Sequence, residues 1–116
     1  MFHNFYQDLS KTDKKIIQEL IQKGLQREFE KGLSAVESTI QKWRRDKTDN
    51  GDTYRAVYKQ IADFDKYIAR QYDGLGGSKF VPTVGVQLRD GVLTEDDIAP
   101  LSDDAKALVR KFAELL

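Results

Sequence analysis

Oxygen-bearing side chains in the stretch RRDKTDNGDTYR, from Arg44 to Arg55, follow part of the spacing of a helix-loop-helix calcium site. Such a loop needs oxygen ligands at its first, third and fifth positions, glycine at the sixth and a bidentate glutamate at the twelfth. Counted from Asp46, the early positions fit, but the twelfth is Val57. Because Val57 also continues an apolar helical pattern, we interpret the stretch as a turn between two helices and predict no metal site.

Other residues that carry catalytic chemistry are few. The chain has one histidine, His3, and no cysteine, so zinc-thiolate sites and the paired Glu-x-x-His motifs of di-metal bundles cannot form. The acids Asp63, Asp65 and Glu95–Asp97 are typical of solvated helix surfaces and first turns. The loop GLGGSK, residues 74–79, shares only its glycines and lysine with a P-loop. We predict no catalytic residues and no cofactor, and anion binding by this loop stays an open alternative.

A basic cluster surrounds the only tryptophan, Trp43. Its members are Lys42, Arg44, Arg45 and Lys47, a composition that can contact phosphates and stack a base. Cations in the last turn of a helix also stabilise its terminal carbonyls, and Trp43 continues an apolar stripe that indicates a core position. We keep nucleic-acid association through this basic patch as the alternative function. With 19 basic and 19 acidic residues in the chain, such binding would be weak and sensitive to salt.

The elements that position these residues are predicted to be helices. From Ile16 onward, apolar residues recur three or four apart, which predicts an amphipathic helix over residues 12–46 with Ser10 as its cap. Gly24 and Gly32 interrupt this pattern, and a break at either glycine is an alternative. The stripe keeps its phase through both, so we favour one continuous helix, in which the glycines admit a close neighbouring backbone.

A second amphipathic helix is predicted over residues 53–73, after a connection of about six residues. We expect Asn50 and Gly51 to adopt left-handed conformations in this connection, and Asp52 or Thr53 to cap the helix. The two helices then form a long antiparallel hairpin, residues 12–73.

Four of the five tyrosines fall on this second helix, namely Tyr54, Tyr58, Tyr67 and Tyr72. Tyrosine combines an apolar ring with a polar tip, which suits half-buried seams and protein interfaces. The edge of an ordinary core is the simpler interpretation, and an interface with an oligomer or partner is the functional one.

The rest of the chain is predicted to be helical too. A glycine-rich connection, 74–79, leads into residues 80–90, whose apolar positions fit either a strand or a short helix. We predict a short third helix with Pro82 in its first turn, because a lone strand has no partner here. Thr94 should cap a single helical turn, and Ser102 a C-terminal amphipathic helix.

Together these features predict one all-α, bundle-like domain of 116 residues, with the hairpin followed by a helical segment over 80–116. No window holds 18 apolar residues and the N-terminus lacks the order of a signal peptide, so we expect no membrane association and a cytoplasmic location. The C-terminal helices are too short to cover the whole hairpin stripe. We therefore predict a non-enzymatic protein-interaction or assembly module that forms a homo-oligomer, most simply a dimer, or binds a protein partner.

Overall fold

The computed structural model describes residues 3–116, which form five helices and one 3₁₀ turn. The helices are α1 (Lys11–Asp46), α2 (Asn50–Tyr72), α3 (Gly77–Arg89), α4 (Glu95–Ile98) and α5 (Asp103–Leu115), and the turn is Phe5–Asp8. Within residues 3–116 there is no strand, which confirms the all-α, bundle-like fold class. None of the helices in this described part combines the length and the apolar character needed to cross a bilayer.

The first helix, α1, is uninterrupted, as predicted. At both of its glycines, however, the close neighbour is a side chain and not the predicted backbone. A Cβ added at Gly24 would lie 2.2 Å from Gln87 Nε2, and one at Gly32 would lie 2.6 Å from a ring carbon of Phe64. The glycines therefore leave room for two particular side chains.

Three predicted helix caps are confirmed. Ser10 Oγ accepts a hydrogen bond from the Asp13 N–H at 3.0 Å, and Ser102 Oγ accepts one from the first turn of α5 at 3.2 Å. Thr94 and Asp97 form a reciprocal capping box, in which each side chain accepts from the other residue's N–H. Each cap satisfies an amide that has no partner within its own helix.

The turn between α1 and α2 is shorter than predicted, because α2 begins at Asn50. The cap is Asp49, whose carboxylate accepts from the Asp52 N–H at 2.9 Å, so the prediction of Asp52 or Thr53 as the cap is wrong. Asn50 and Gly51 are helical, and Lys47 takes the left-handed conformation with φ of 53°. A carboxylate three residues before Asp52 already satisfies the first amides, which allows the helix to start early.

The third helix, α3, confirms a helix over residues 80–90, but it begins at Gly77. The predicted connection 74–79 is therefore too long, since its last three residues are helical. Pro82 is the sixth residue of α3 and not in the first turn, so the Ser78 carbonyl loses its usual helical donor. The residues around the proline are buried, and their packing stabilises the helix.

Contacts divide the chain into two compact units. Unit 1 holds the described residues up to Gln26 together with Gly74–Leu116, and unit 2 is Arg27–Asp73. The first helix contributes residues to both. A single folding domain of 116 residues stays a prediction.

Unit 1 has an enclosed apolar core. Its buried members are Ile17, Leu20, Ile21, Val81, Val84, Val92, Leu93, Ile98, Leu101, Ala105 and Val109. Gly85 lets α3 approach α5 closely, since a Cβ there would lie 2.6 Å from Phe112 Cβ. The 3₁₀ turn packs on the same pair of helices through edge-to-face contacts of Phe5 with Phe112 and Tyr6 with Phe80.

One buried carboxylate links α1 to the start of α5 inside unit 1. Asp13 is 4% exposed and accepts from the Ser102 N–H at 3.0 Å and the Ser102 hydroxyl at 2.6 Å. Burial opposes ionisation of Asp13, but its hydrogen bonds with Ser102 and Ser10 outweigh burial and hold the carboxyl pKa below its ordinary value. The carboxylate therefore stabilises the folded chain in its charged form.

Candidate functional site

The interior of unit 2 is small. Ile68, at 9% exposed, is the one buried apolar side chain of unit 2, and Phe64 packs on Gly32 across the two helices. The Phe64 ring also lies 6.4 Å from the Phe29 ring and 6.1 Å from the Tyr67 ring, measured between centroids. Two helices alone cover only the sides of their apolar stripes that face each other.

The rest of the stripes is open to solvent. We call the hairpin face the six large side chains of unit 2 that are between 39% and 74% exposed, which are Phe29, Leu33, Ile40, Tyr54, Tyr58 and Ile61. Single exposed apolar residues are ordinary, but a cluster of this size on one hairpin is typical of an interaction surface.

A groove of about 300 Å³ runs along this face between α1 and α2. Its lining residues are Phe29, Gly32, Leu33, Val36, Gln60, Ile61, Phe64, Asp65 and Ile68. Gln60 Oε1 is buried there without a hydrogen-bond partner among the described residues. An unsatisfied buried acceptor is unfavourable, so a donor from a bound molecule would stabilise it.

The four candidate interface tyrosines fall into two pairs. Tyr54 and Tyr58 are 74% and 70% exposed and belong to the hairpin face. The hydroxyls of Tyr67 and Tyr72 donate instead to the carboxylate of Glu28, which is 5% exposed. This second pair fastens α2 to α1 inside unit 2.

Glu28 was not identified from the sequence as a functional or structural residue. It lies four residues after Gly24 and eleven after Ile17, both of which are buried on α1. This spacing places Glu28 on the buried side of the helix, and it is the sequence signal from which Glu28 could have been identified. A carboxylate at such a position needs hydrogen-bond donors, and the tyrosines of α2 supply them.

The predicted basic patch lies at the end of α1 in unit 2. Arg45 pairs with its neighbour Asp46 at 3.0 Å, and the Arg44 guanidinium lies 4.9 Å from the centre of the Trp43 ring. Lys42 and Lys47 are exposed. Together with Arg44, these two lysines have no acidic side chain within 4.0 Å among the described residues, which leaves them available to a partner.

Trp43 is half-buried and does not occupy the predicted core position. Its indole N–H donates to Asn50 Oδ1 at 2.8 Å, which ties the end of α1 to the first turn of α2. Trp43 and Asn50, with Arg44, Lys47 and Thr48, line a shallow cavity of about 270 Å³. The Arg44 guanidinium over the ring would compete with a base for that face of the indole.

The acidic residues considered for catalysis are mostly ion-paired. Asp63 pairs with Lys59 at 2.6 Å, and this hydrogen bond lowers the pKa of Asp63. Arg110 binds Glu95 through two nitrogens and lowers the pKa of that carboxyl in the same way. Within residues 3–116, no three His, Asp or Glu side chains gather in a form that could hold a metal ion.

A further cavity lies inside unit 1, at the end of the glycine-rich loop. This cavity, of about 300 Å³, is lined by His3, Phe5, Ser78, Lys79, Pro82, Phe112 and Leu116. Its walls are mainly apolar, and the His3 ring bonds to Asp8. Anion binding near Lys79 stays a hypothesis.

Comparison of the chain with protein-family models, with curated proteins and with solved structures gives no significant match.

Proposed function

We propose that this chain is a non-enzymatic helical interaction module that self-associates through the hairpin face. The observation that carries the proposal is the contrast within unit 2 between six exposed large apolar side chains and one buried one, Ile68. A second layer of helices on the face would complete a bundle of the kind that two helices cannot form alone.

The energetic reason is the removal of apolar area from water. Fully burying a side chain such as Leu33 or Ile61 contributes about 1.5–3 kcal/mol relative to leaving it exposed. Tyr54 and Tyr58 add rigid rings that can keep their hydroxyls at the wet rim of an interface. A copy of the same hairpin carries the same apolar face, so two copies can cover each other in one symmetric contact.

The test is the oligomeric state over a range of protein concentrations. We expect sedimentation equilibrium to show a dimer at micromolar concentration, and Leu33→Glu to shift the chain to monomer because it places a charge in the covered face. Leu115→Glu is the matched control, since Leu115 is 68% exposed against 71% for Leu33 but lies outside the hairpin face. Circular dichroism should show the same helix content in the wild type, in Leu33→Glu and in Leu115→Glu. A wild-type chain that stays monomeric would overturn self-association.

The basic patch supports a second candidate function, contact with nucleic acid. The supporting observation is that Lys42, Arg44 and Lys47 have no acidic partner among the described residues. Binding of a labelled oligonucleotide should then weaken steeply with salt and fall further in the pair of changes Lys42→Gln and Lys47→Asn. Asparagine suits position 47 because it tolerates the left-handed backbone there. An absence of binding at low salt would remove this candidate.

A further inference from the structure

We propose that the cavity of unit 1 is a binding site for a small, neutral aromatic molecule with one hydroxyl group, a ligand of the phenol class. We call this site the proline cavity, because Pro82 of α3 forms part of its wall. The hairpin face belongs to unit 2, so this inference goes beyond self-association and does not depend on it.

The proline cavity has room for one aromatic ring. Its volume of about 300 Å³ lies at the lower end of the range for small-molecule sites, which is about 300–1,000 Å³. Its walls are mainly apolar, with Phe5, Phe112 and Leu116 among the lining residues. Removal of a ligand's apolar surface from water therefore favours binding there.

The rings in the wall favour an aromatic ligand over an aliphatic one. Phe5 contacts Phe112 edge to face, with 5.7 Å between the ring centroids, and His3 contacts Phe5 in the same manner at 4.7 Å. Edge-to-face contacts between rings stabilise by more than the buried area alone accounts for. A ligand ring in the cavity can extend this cluster, whereas an aliphatic chain lacks the aromatic edge and face that such contacts use.

The proline itself leaves a hydrogen-bond acceptor in the wall without its usual donor. In a helix each carbonyl accepts from the N–H four residues later, but Pro82 has no N–H to donate to the Ser78 carbonyl. Ser78 and Pro82 lie one turn apart on the same side of α3, and both line the cavity. A ligand hydroxyl can donate to this carbonyl and supply the hydrogen bond that the helix lacks there.

The charged groups near the cavity favour a neutral ligand. Lys79 is exposed and forms no ion pair within residues 3–116, so its stem can line the wall while its ammonium group stays in water. The carboxylate of Asp8, which bonds to the His3 ring, is also exposed. Because these charges are solvated, they would compensate an ion inside the apolar walls only weakly for its lost hydration.

Titration with phenol, followed through the amide NMR signals of the full chain, tests whether the site exists. We expect saturable shifts at the start of α3 and around Phe112, with a Kd of about 1 mM. Ser78→Leu places a larger side chain at the wall and should weaken binding by about tenfold or more, because it occupies the space of the ligand.

Ala107→Leu is the matched control for Ser78→Leu. It places the same new side chain at an exposed position of α5 that does not line the cavity. Its Kd for phenol should stay within about twofold of the wild-type value, since the two positions are independent.

The role of the Ser78 carbonyl is tested by restoring its helical donor. Pro82→Ala gives residue 82 an N–H, and alanine suits a helix interior, so the variant should fold. Because the change also alters the shape of the wall, the readout is the ratio of the toluene Kd to the phenol Kd in each protein. Toluene carries a methyl group in place of the hydroxyl and cannot donate. This ratio should fall about three- to tenfold in Pro82→Ala, which corresponds to the loss of one hydrogen bond.

Phenol that leaves the amides of unit 1 unshifted, or that binds Ser78→Leu as tightly as wild type, would overturn the site. An unchanged ratio in Pro82→Ala would overturn the hydrogen bond to Ser78, and with it the phenol class. Benzoate that binds more tightly than phenol would overturn the neutral class in favour of an anion held at Lys79. These outcomes are the same whether the chain is a monomer or a dimer, so they are separate from the test of self-association.

Discussion

The two units place their apolar residues in opposite environments. Among the described residues, eleven of the twelve buried apolar side chains belong to unit 1, and six of the eight exposed large ones belong to unit 2. In unit 1, three further helices surround the first part of α1, whereas in unit 2 a single helix, α2, packs beside the rest of it. The comparison shows that an equally regular apolar stripe becomes a core or a surface according to how many helices enclose it.

The largest expected effect comes from truncating one isoleucine in each unit. Ile98→Ala, at a fully buried position in unit 1, should lower the free energy of unfolding by about 2–5 kcal/mol because it leaves a cavity. Ile61→Ala, at a position 56% exposed in unit 2, should change it by about 0.5 kcal/mol or less in dilute monomer. Urea denaturation measures both. Equal losses would contradict the contrast between a closed and an open unit.

The buried carboxylate of unit 1 should show the next largest effect. Asp13→Ala removes the acceptor of the Ser102 N–H and hydroxyl, at a cost of about 3 kcal/mol at neutral pH. Because the folded-state pKa of Asp13 is lowered, its contribution is fully present above the ordinary carboxyl pKa of about 4 and is lost as the pH falls through the lowered value.

The difference in urea midpoint between wild type and Asp13→Ala should therefore be constant from about pH 5 to about pH 7, which is about 1 to 3 units above the ordinary carboxyl pKa. It should shrink below about pH 4. A difference that grows toward acid pH would contradict the lowered pKa of Asp13.

In unit 2, hydrogen bonds from tyrosines to a buried carboxylate link the two helices. Changing one tyrosine from each pair separates the contribution of these bonds from that of an exposed hydroxyl. Tyr67→Phe should cost about 2 kcal/mol, because the buried carboxylate of Glu28 loses a donor. Tyr58→Phe, which removes the same hydroxyl from a side chain 70% exposed, should leave the unfolding transition of the monomer almost unchanged. Thermal unfolding followed by circular dichroism compares the two. A neutral Tyr67→Phe would remove Glu28 as the link between α1 and α2.

The smallest expected effects come from changing the two glycines of α1 to alanine. Alanine gains about 1 kcal/mol over glycine in a helix. At Gly24 this gain is outweighed, because the new Cβ meets the buried Gln87, and we expect a net loss of about 1 kcal/mol. At Gly32 the new Cβ meets the ring of Phe64, which must shift but is half-buried and so less enclosed than Gln87, and we expect Gly32→Ala to be closer to neutral. A larger loss at Gly32 than at Gly24 would show that unit 2 is the more tightly packed.

Local signals accounted for most of the fold. The periodic stripes predicted the long helices, and Ser10, Thr94 and Ser102 predicted three helix starts, because a cap depends on residues within one turn. The turn at the hairpin tip was predicted less well. Asp49 and Asp52 are both suitable cap residues by type. Which of them caps α2 depends on the left-handed conformation of Lys47, and lysine has no preference for that conformation.

The candidate site was only partly predictable. A helical pattern places Tyr58 and Tyr72 beside the same stripe, yet one ring is exposed and the other donates to Glu28. Their difference depends on where a carboxylate 44 residues away in the chain projects from another helix.

By itself, the sequence determined the helical elements of this protein, their apolar sides and most of their ends, since these depend on neighbours within a turn or two. Only the tertiary structure decided which parts of those apolar sides are enclosed. The first helix has one continuous stripe, but its early part, at Ile17 and Leu20, is buried and its later part, at Leu33 and Ile40, is exposed. The physical reason is that burial depends on helices distant in sequence, and in unit 2 a single helix is too narrow to cover the stripe.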